Sequence, residues 1–188
     1  YVEETMNQII RIGNIRNNKL ILNEKQVYIT DETAASAINM LIKKNDILFS
    51  MTGTKGKRDY FYTVLVQDEH LKNKKLYLNQ RVGCFRKKID IDERYFNYLL
   101  KENKILDSIF IYETGTANQG NLGIETIINT KLHYPSITEQ KIISNYLDNK
   151  CTKIDKAIAD KEQVIEKMTE YKKSLIYECV TGKRKVVK

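Results

Sequence analysis

The chain of 188 residues is long enough for one globular core plus an extension, and its 41% hydrophobic content fits a single core within the first 135 residues. Its 32 basic residues exceed its 24 acidic residues by eight. The sequence contains no run of 18 apolar residues and no leader-like start, which argues against a membrane-spanning or secreted protein, so we expect a cytoplasmic one.

The excess positive charge lies half in the globular part and half at the end of the chain. Residues 136–180 contain eight basic and eight acidic residues, which cancel. The last seven residues contribute four basic residues, and residues 1–135 hold 20 basic and 16 acidic ones. A mildly basic globular part is compatible with nucleic acid bound by a local patch, but charge alone does not establish such a partner.

Short strands are the first elements that the sequence predicts. Residues 8–15 are rich in isoleucine and read as a half-buried strand, and residues 20–22 continue the sheet after a polar turn. That turn contains Arg16 and Lys19, which are candidates for phosphate contact. Residues 26–29 predict a further strand.

A short helix and a buried strand follow. Thr30 or Asp31 can cap a helix that reaches Met40. Residues 46–51 (DILFSM) then predict a buried strand that leads into a glycine-rich loop.

The loop at residues 53–58 contains two glycines and three cations, and its anion-binding candidates are Thr54, Lys55, Lys57 and Arg58. It is not a nucleotide-binding P-loop. Two residues separate the glycines where four are required, and arginine follows the lysine where serine or threonine is required. A hairpin turn with solvated charges remains an equal alternative.

Two strands are predicted next, at residues 60–67 and 76–85. The second contains Asn79, Gln80 and Arg81, whose donors and acceptors match base edges in a major groove. An ordinary exposed strand face would have the same composition.

Helices and a polar loop complete the predicted globular part. Residues 92–102 form an amphipathic helix whose aromatic face favours core packing, and residues 105–112 extend this helical region. Residues 115–123 (GTANQGNLG) form a loop in which Asn118, Gln119 and Asn121 either contact a ligand or tie the loop to neighbouring backbone. A helical turn at 124–128 and a strand at 131–134 follow.

The last quarter of the chain predicts one long helix. Pro135 precedes Ser136 and Glu139, which form a capping box, and neither proline nor glycine occurs again before Gly182. The helix would be roughly 64 Å long, about twice the width of the remaining domain. In heptads, its two seam positions are occupied by Leu147, Ile154, Lys161, Met168 and Leu175, and by Cys151, Ile158, Ile165, Lys172 and Cys179.

Such a seam is typical of a coiled coil that pairs with a partner helix. The alternative is a charged helix packed on its own domain. Cys84, Cys151 and Cys179 are odd in number and far apart, so we expect them to be reduced packing residues.

Signals for catalysis are absent from the sequence. His70 and His133 are isolated from each other and from the cysteines, so no metal-ligand spacing occurs. The sequence has no nucleophile motif and no dinucleotide-binding motif, and its single proline excludes the Asp/Asn-Pro-Pro-Tyr signature of amino-methyltransferases.

Taken in order, the motifs resemble one half of the specificity subunit of Type I restriction-modification systems. The residues that carry this resemblance are IRIGNI at 10–15, DILFSMTG at 46–53 with Gly56 and Lys57, LNQR at 78–81, Gly115 and Thr116 with Gln119 and Asn121, Glu139 with Gln140, and CVTG at 179–182. The family's tryptophan-containing lead-in strand is not evident before Tyr1, so the sequence does not predict which strand forms the first edge of the sheet.

The resemblance implies an α+β fold: a target recognition domain at residues 1–135 with a mixed or antiparallel sheet, a helical spacer at 136–181 and a basic tail at 182–188. The domain would read one half of a split DNA target. The DNA-binding candidates are Arg16, Lys19, Thr54, Lys55, Lys57, Arg58, Asn79, Gln80, Arg81, Asn118, Gln119 and Asn121.

The resemblance also implies the partners. The spacer would pair antiparallel with a second copy, or with the second half of a longer subunit of which this chain is a piece. Modification and restriction subunits would carry out methylation and cleavage and bind S-adenosylmethionine and ATP with magnesium, so this subunit would be non-catalytic and bind no cofactor. The alternative function is a coiled-coil scaffold protein with a protein-binding globular end.

Overall fold

The computed structural model describes residues 2–116 and 118–186. The chain separates into two compact units, one up to Ser144 and the other from Asn145 onward. The first unit contains small sheets, short helices and the first turns of a long helix, and the second contains the remainder of that helix. The predicted boundary lies at residue 135, whereas the first two turns of the helix belong with the globular unit. The predicted basic tail is described only to residue 186.

The strands of the described residues are short. In chain order they are β1 Asn7–Ile10, β2 Ile15–Arg16, β3 Lys19–Leu20, β4 Ile47–Ser50, β5 Thr52–Gly53, β6 Thr63–Leu65, β7 Lys75–Leu78, β8 Val82–Phe85, β9 Thr114–Thr116 and β10 Gln119–Asn121. The α-helices are α1 Asp31–Ser36, α2 Asp68–Leu71, α3 Glu93–Leu99, α4 Asn103–Phe110, α5 Ile124–Ile128 and α6 Ile137–Val180. Short 3₁₀ helices occupy Ile12–Asn14 and Ile38–Met40.

Strand β4 lies at the centre of the globular unit. It pairs antiparallel with β6 on one side and β8 on the other, and all four of its residues are buried. Its apolar side chains enter two core clusters, because Leu48 packs with Ile10 and Val66, and Phe49 packs with Phe61. Burial on both faces explains the continuous apolar run that predicted this strand.

Smaller sheets surround β4. Strands β1 and β7 are parallel, β2 and β3 form an antiparallel hairpin, and β5, β10 and β9 form an antiparallel sheet in that order. The arrangement is therefore mixed, as predicted, although it is divided into several short sheets.

Three predicted strands are wrong in their extent. Residues 76–85 are two strands, β7 and β8, and Asn79, Gln80 and Arg81 form the turn between them. The predicted strand at 60–67 narrows to β6, because Phe61 has a φ of 58° and interrupts the extended backbone. The predicted strand at 8–15 breaks where the Asn14 side chain accepts the Arg11 backbone N–H at 2.9 Å.

Two further predicted strands have no ladder. In residues 26–29, Tyr28 makes only isolated bridges, and residues 131–134 carry no strand. The starts of the predicted helices are better placed: the Thr30 side chain accepts the N–H of Thr33, and Asp92 accepts the N–H of Tyr95. The helix predicted to reach Met40 ends as an α-helix at Ser36 and is followed by the 3₁₀ helix Ile38–Met40. Local capping chemistry is readable from sequence, whereas strand pairing depends on distant partners.

The three cysteines are free, as expected. Burial raises the pKa of the Cys84 thiol to about 12, so this side chain is a protonated packing residue at neutral pH.

The long helix is present as predicted and begins after Ser136. The Ser136 hydroxyl donates to the Glu139 carboxylate at 2.8 Å, and the Glu139 backbone N–H faces the same hydroxyl at 3.4 Å. No helix among the described residues is long and apolar enough to cross a membrane.

A buried polar contact fastens the first turns of α6 to the globular unit. The side chain of Gln140 accepts the Asp92 backbone N–H at 2.9 Å and donates to the Pro135 carbonyl at 2.9 Å. The Ser144 hydroxyl lies 2.8 Å from an Asp92 carboxylate oxygen and 2.8 Å from the Gln140 carbonyl. Gln140 and Ser144 are at most 1% exposed, so these bonds hold the first two turns of the helix within the globular unit.

Candidate nucleic-acid interface

The polar turns singled out in the sequence gather around the carboxyl end of β4. Met51, which follows β4, donates its backbone N–H to the Arg81 carbonyl at 3.2 Å and accepts the Leu122 N–H at 3.0 Å. Met51 is therefore flanked on one side by the turn that contains Gln80 and Arg81, and on the other by the end of β10. Gln80 and Arg81 are exposed.

The β2–β3 hairpin lies near the same end of the central sheet. Asn17 and Asn18, at its tip, adopt φ values of 51° and 58°, which asparagine tolerates well. The Asn18 side chain accepts the Thr63 backbone N–H at 3.0 Å, and Thr63 pairs with Phe49 of β4. Arg16 and Lys19 are thus carried by a hairpin that is anchored to this sheet.

The glycine-rich loop and the amide-rich loop meet directly. Strand β5 precedes the first loop and β10 ends the second, and Gly53 pairs with Gly120 and Thr52 with Asn121. The Lys55 ammonium donates to the Gly115 carbonyl at 2.8 Å. The structure therefore brings Thr54, Lys55, Lys57 and Arg58 together with Asn118, Gln119 and Asn121, as one surface built from two hairpins. The predicted loop at 115–123 also includes Ala117, which lies outside the described residues.

Glu113 braces these two hairpins. One of its carboxylate oxygens accepts the Gly56 backbone N–H at 2.9 Å and the other accepts the Tyr60 hydroxyl at 2.6 Å. Burial, followed by the bond to Glu113, raises the pKa of Tyr60, so this hydroxyl stays a donor. Gly120 lies against the pair, and a Cβ there would stand 2.7 Å from the Tyr60 hydroxyl and overlap the Glu113 carboxylate.

The protein's own carboxylates occupy much of the loop's hydrogen-bonding capacity. The Thr54 backbone N–H donates to Asp59 at 2.7 Å, and the hydrogen bonds from Thr54 lower the pKa of that carboxyl. Since Glu113 takes the Gly56 N–H, these two backbone donors do not form a vacant anion cradle. What the loop offers a polyanion is its side-chain cations.

The cations of this surface differ in their surroundings. The Arg58 guanidinium pairs with Asp107 at 2.5 Å and lies 5.5 Å from the centre of the Phe110 ring, yet half of its side chain is exposed. Arg16 bonds the Gly13 carbonyl and Glu24, each at 2.7 Å. Lys19 and Arg81 make no side-chain hydrogen bond or ion pair with the described residues, and both are exposed. Exposed cations suit phosphate contacts; Arg16 and Arg58 are held in place by their partners, whereas Lys19 and Arg81 have no carboxylate in the described part of the chain to compete with a phosphate.

We call these turns together the turn face. It comprises residues 16–19, 53–58, 79–81, 114–116 and 118–121. A concavity of about 430 Å³ adjoins it, lined by Gly56, Arg58, Asp107, Phe110, Ile111 and Glu113.

Sequence reasoning missed the residues that organise the turn face. Glu113, Tyr60 and Asp107 carry no local motif, and their partners lie 49 to 57 residues away in sequence. Only the glycine that permits close approach, Gly120, was visible as part of a glycine-rich segment.

The predicted seam of α6 is largely uncovered in the single chain. Ile154, Ile158, Ile165 and Met168 are 50–66% exposed. Lys161 and Lys172 are also exposed, whereas Leu147, Cys151, Leu175 and Cys179 are half-buried. Within the described residues, no group of three or more His, Cys, Asp or Glu side chains could hold a metal ion.

Comparison with known proteins gives a consistent result. A family model described as "Type I restriction modification DNA specificity domain" matches residues 2–167. Among solved structures, the HsdS subunit from Thermoanaerobacter tengcongensis is similar, with a TM-score of 0.56 and 16% sequence identity. The match covers 80% of this chain and 37% of that chain, so this chain spans well under half of the length of that subunit. The mixed α+β fold with a long carboxyl-terminal helix is thereby confirmed.

Proposed function

The chain belongs to the family of Type I restriction-modification DNA specificity domains, and from that premise we propose that its globular unit reads one half of a bipartite DNA target. The turn face is the surface that would contact DNA. The alternative, a coiled-coil scaffold with a protein-binding end, is not favoured by the family match.

One observation carries this proposal: four polar turns that are distant in sequence converge at one end of β4. Cations lie beside amide side chains there, which is the combination that DNA recognition requires. Lysine and arginine contacts to phosphates give affinity and register, whereas amide and guanidinium groups at base edges give sequence preference. Gln80, Arg81, Gln119 and Asn121 are the candidates for base contact.

The long helix is proposed to act as a spacer. The uncovered stripe on α6 would be buried against a second helix, antiparallel, from another copy or from the other half of a longer subunit. The buried bonds of Gln140 and Ser144 to Asp92 support this role, because they tie the start of the helix to the recognition domain, and a spacer has to be joined to the reader that it positions.

The remaining roles belong to partner subunits in this proposal. The chain would dock modification subunits and, through the assembled complex, restriction subunits, and would itself be non-catalytic. S-adenosylmethionine, ATP and magnesium would bind to those partners, and the complex would act in the cytoplasm.

Electrophoretic mobility shift of the purified chain tests DNA recognition. Random-sequence duplex is titrated at about 50 mM and about 200 mM salt, because a protein that contacts several phosphates loses roughly a thousandfold in affinity or more over this range. A steep loss with salt supports the proposal. No binding at low salt, with or without modification subunits, would contradict it and favour the scaffold function.

A further inference from the structure

The long helix contains a repeat of 11 residues. Isoleucine recurs at Ile143, Ile154, Ile165 and Ile176. Lysine recurs seven residues after the first three of them, at Lys150, Lys161 and Lys172, and Lys183 repeats this spacing beyond the end of the helix at Val180. The fifth position of each repeat is occupied by Leu147, Ile158, Thr169 and Val180. A heptad reading does not bring out this regularity.

The period matters because it sets which side chains share one face. Eleven residues in three turns give about 3.67 residues per turn, close to a straight α-helix, whereas a heptad seam drifts by about 20° per repeat and must supercoil to the left. The first and fifth positions of the repeat therefore form a continuous stripe, which we call the 11-residue seam. Its members are Ile143, Leu147, Ile154, Ile158, Ile165, Thr169, Ile176 and Val180.

The 11-residue seam is more apolar than the heptad seam. Thr169 is its one polar member, and the Thr169 hydroxyl donates to the Ile165 carbonyl of its own helix at 2.8 Å. That bond satisfies the hydroxyl, and the γ-methyl group remains for packing. The heptad seam, by contrast, includes two lysines, Lys161 and Lys172.

The lysines occupy one edge of the 11-residue seam. At about 98° per residue, they lie roughly 50° to one side of the seam's midline. From there the aliphatic stem can cover the edge while the ammonium reaches water. The two lysines that interrupt the heptad frame thus belong, with Lys150, to a regular row of three along the helix.

The seam is uncovered in the single chain. Ile154, Ile158, Ile165 and Ile176 are 57%, 50%, 63% and 53% exposed. A row of half-exposed isoleucines along a charged helix is the kind of apolar surface that a partner helix covers.

We infer that a second copy of α6 covers this face through the 11-residue seam. The inference rests on the pairing proposed above and replaces its heptad seam. In a second copy, successive isoleucines of the seam are also about 16 Å apart along the helix axis, so every isoleucine of one helix can meet the same part of the repeat in the other. In a partner helix with a heptad seam the repeat is about 10 Å, so the two seams would match only over a short length. Residues 136–180 hold eight basic and eight acidic residues, so two copies have no net repulsion.

Two adjacent residues separate the two frames. Ile176 belongs only to the 11-residue seam and Leu175 only to the heptad seam. We expect Ile176→Asp to raise the dimer dissociation constant by on the order of 100-fold, because it buries an unpaired charge, and Leu175→Asp to change it little. Analytical ultracentrifugation of the full chain measures the association, and circular dichroism checks that each variant stays helical. The inference is overturned if Leu175→Asp abolishes dimerisation while Ile176→Asp still dimerises like the parent. It is also overturned if both variants change the dissociation constant equally.

A second pair of variants avoids charge. Thr169→Val should tighten the pairing several-fold, because it places a second methyl in the seam, while Thr152→Val, on the opposite side of the helix, should not. Equal behaviour of these variants also contradicts the 11-residue seam. Ile158 belongs to both seams: if Ile158→Asp leaves association unchanged, or the parent chain does not associate, pairing between copies itself fails together with this inference. DNA binding in the mobility-shift experiment is independent of that outcome.

Discussion

The Tyr60 hydroxyl donates to Glu113 at 2.6 Å, and the second oxygen of the same carboxylate accepts the Gly56 backbone N–H at 2.9 Å. One carboxylate thus joins the glycine-rich loop to the segment that leads into β9. The glycine-rich and amide-rich parts of the turn face both attach to this contact, so we expect the shape of the proposed DNA-binding surface to depend on it.

Tyr60→Phe should weaken both folding and DNA binding. It removes the donor to one oxygen of the partly buried Glu113 carboxylate, while the Gly56 N–H still donates to the other, and loss of a bond to a charged group costs about 1–3 kcal/mol of unfolding free energy. Affinity for duplex DNA should fall while its salt slope stays unchanged, because no cation is removed. Chemical denaturation and mobility shift measure the two effects. Tyr112→Phe is the matched control, since Tyr112 is 63% exposed one residue from Glu113; equal DNA affinity of Tyr60→Phe and parent would show that the brace does not shape the DNA surface.

Gly120→Ala should displace the same brace. Its Cβ would overlap the Glu113 carboxylate, and strain of this kind costs about 1–3 kcal/mol. The melting temperature should drop by several degrees, whereas Gly13→Ala, with nothing within 4 Å of its added Cβ, should melt close to the parent. If the two variants melt alike, the two hairpins do not need the close approach at Gly120.

Replacement of single cations on the turn face should identify phosphate contacts. Lys55→Ala, Lys57→Ala and Arg58→Ala should each weaken DNA binding and lower the salt slope by about 1 without altering sequence preference. Lys72→Ala is the control, because Lys72 is an exposed cation at the opposite end of β4. It directly follows α2, and the chain enters that helix from Val66, whose N–H donates to the Asp46 carbonyl at the amino end of β4. If all three variants bind DNA like the parent, the loop does not contact DNA, and its alternative interpretation as a hairpin turn with solvated charges is supported.

Asp92 should make stability depend on pH. Burial opposes its ionisation, but the Tyr95 N–H, the Ser144 hydroxyl and Arg94 outweigh this, so the pKa of Asp92 is lowered overall. A carboxyl whose pKa is lower in the folded state stabilises above its unfolded pKa of about 3.9, and that contribution is lost as pH falls through the folded value. Asp92→Asn should therefore lose less stability than the parent between about pH 5 and pH 3. Thermal melts across that range, with the exposed Asp90→Asn as control, test this; identical pH profiles of Asp92→Asn and parent would contradict it.

Much of the helical structure could be predicted from the sequence, because its determinants are local. Thr30, Asp92 and the Ser136–Glu139 capping box each act within three residues of their partners; Thr30 is one of two predicted caps, the capping box is predicted as such, and Asp92 begins a helix that is predicted from residue 92. The buried run of β4 was equally clear.

The rest depends on contacts between distant residues. The turn at 79–81 was placed inside a strand, because strand-forming apolar residues flank it on both sides and nothing in that local composition marks the turn. The convergence of the turn face requires pairings such as Gly53 with Gly120, which no local pattern encodes. Which candidate residues contact DNA stays a prediction.

Methylome sequencing of a host that carries the complete system tests the central claim most directly. The parent chain should yield a split methylated target, and substitution of Gln80 or Arg81 should change the bases at one half of it, since each lost base contact costs about 1–3 kcal/mol of discrimination. Substitution of Gln119 or Asn121 should do the same, provided that the variant melts like the parent. An unchanged target in all four stable variants would contradict recognition by the turn face, and a genome without any split methylated target would contradict DNA recognition by this chain.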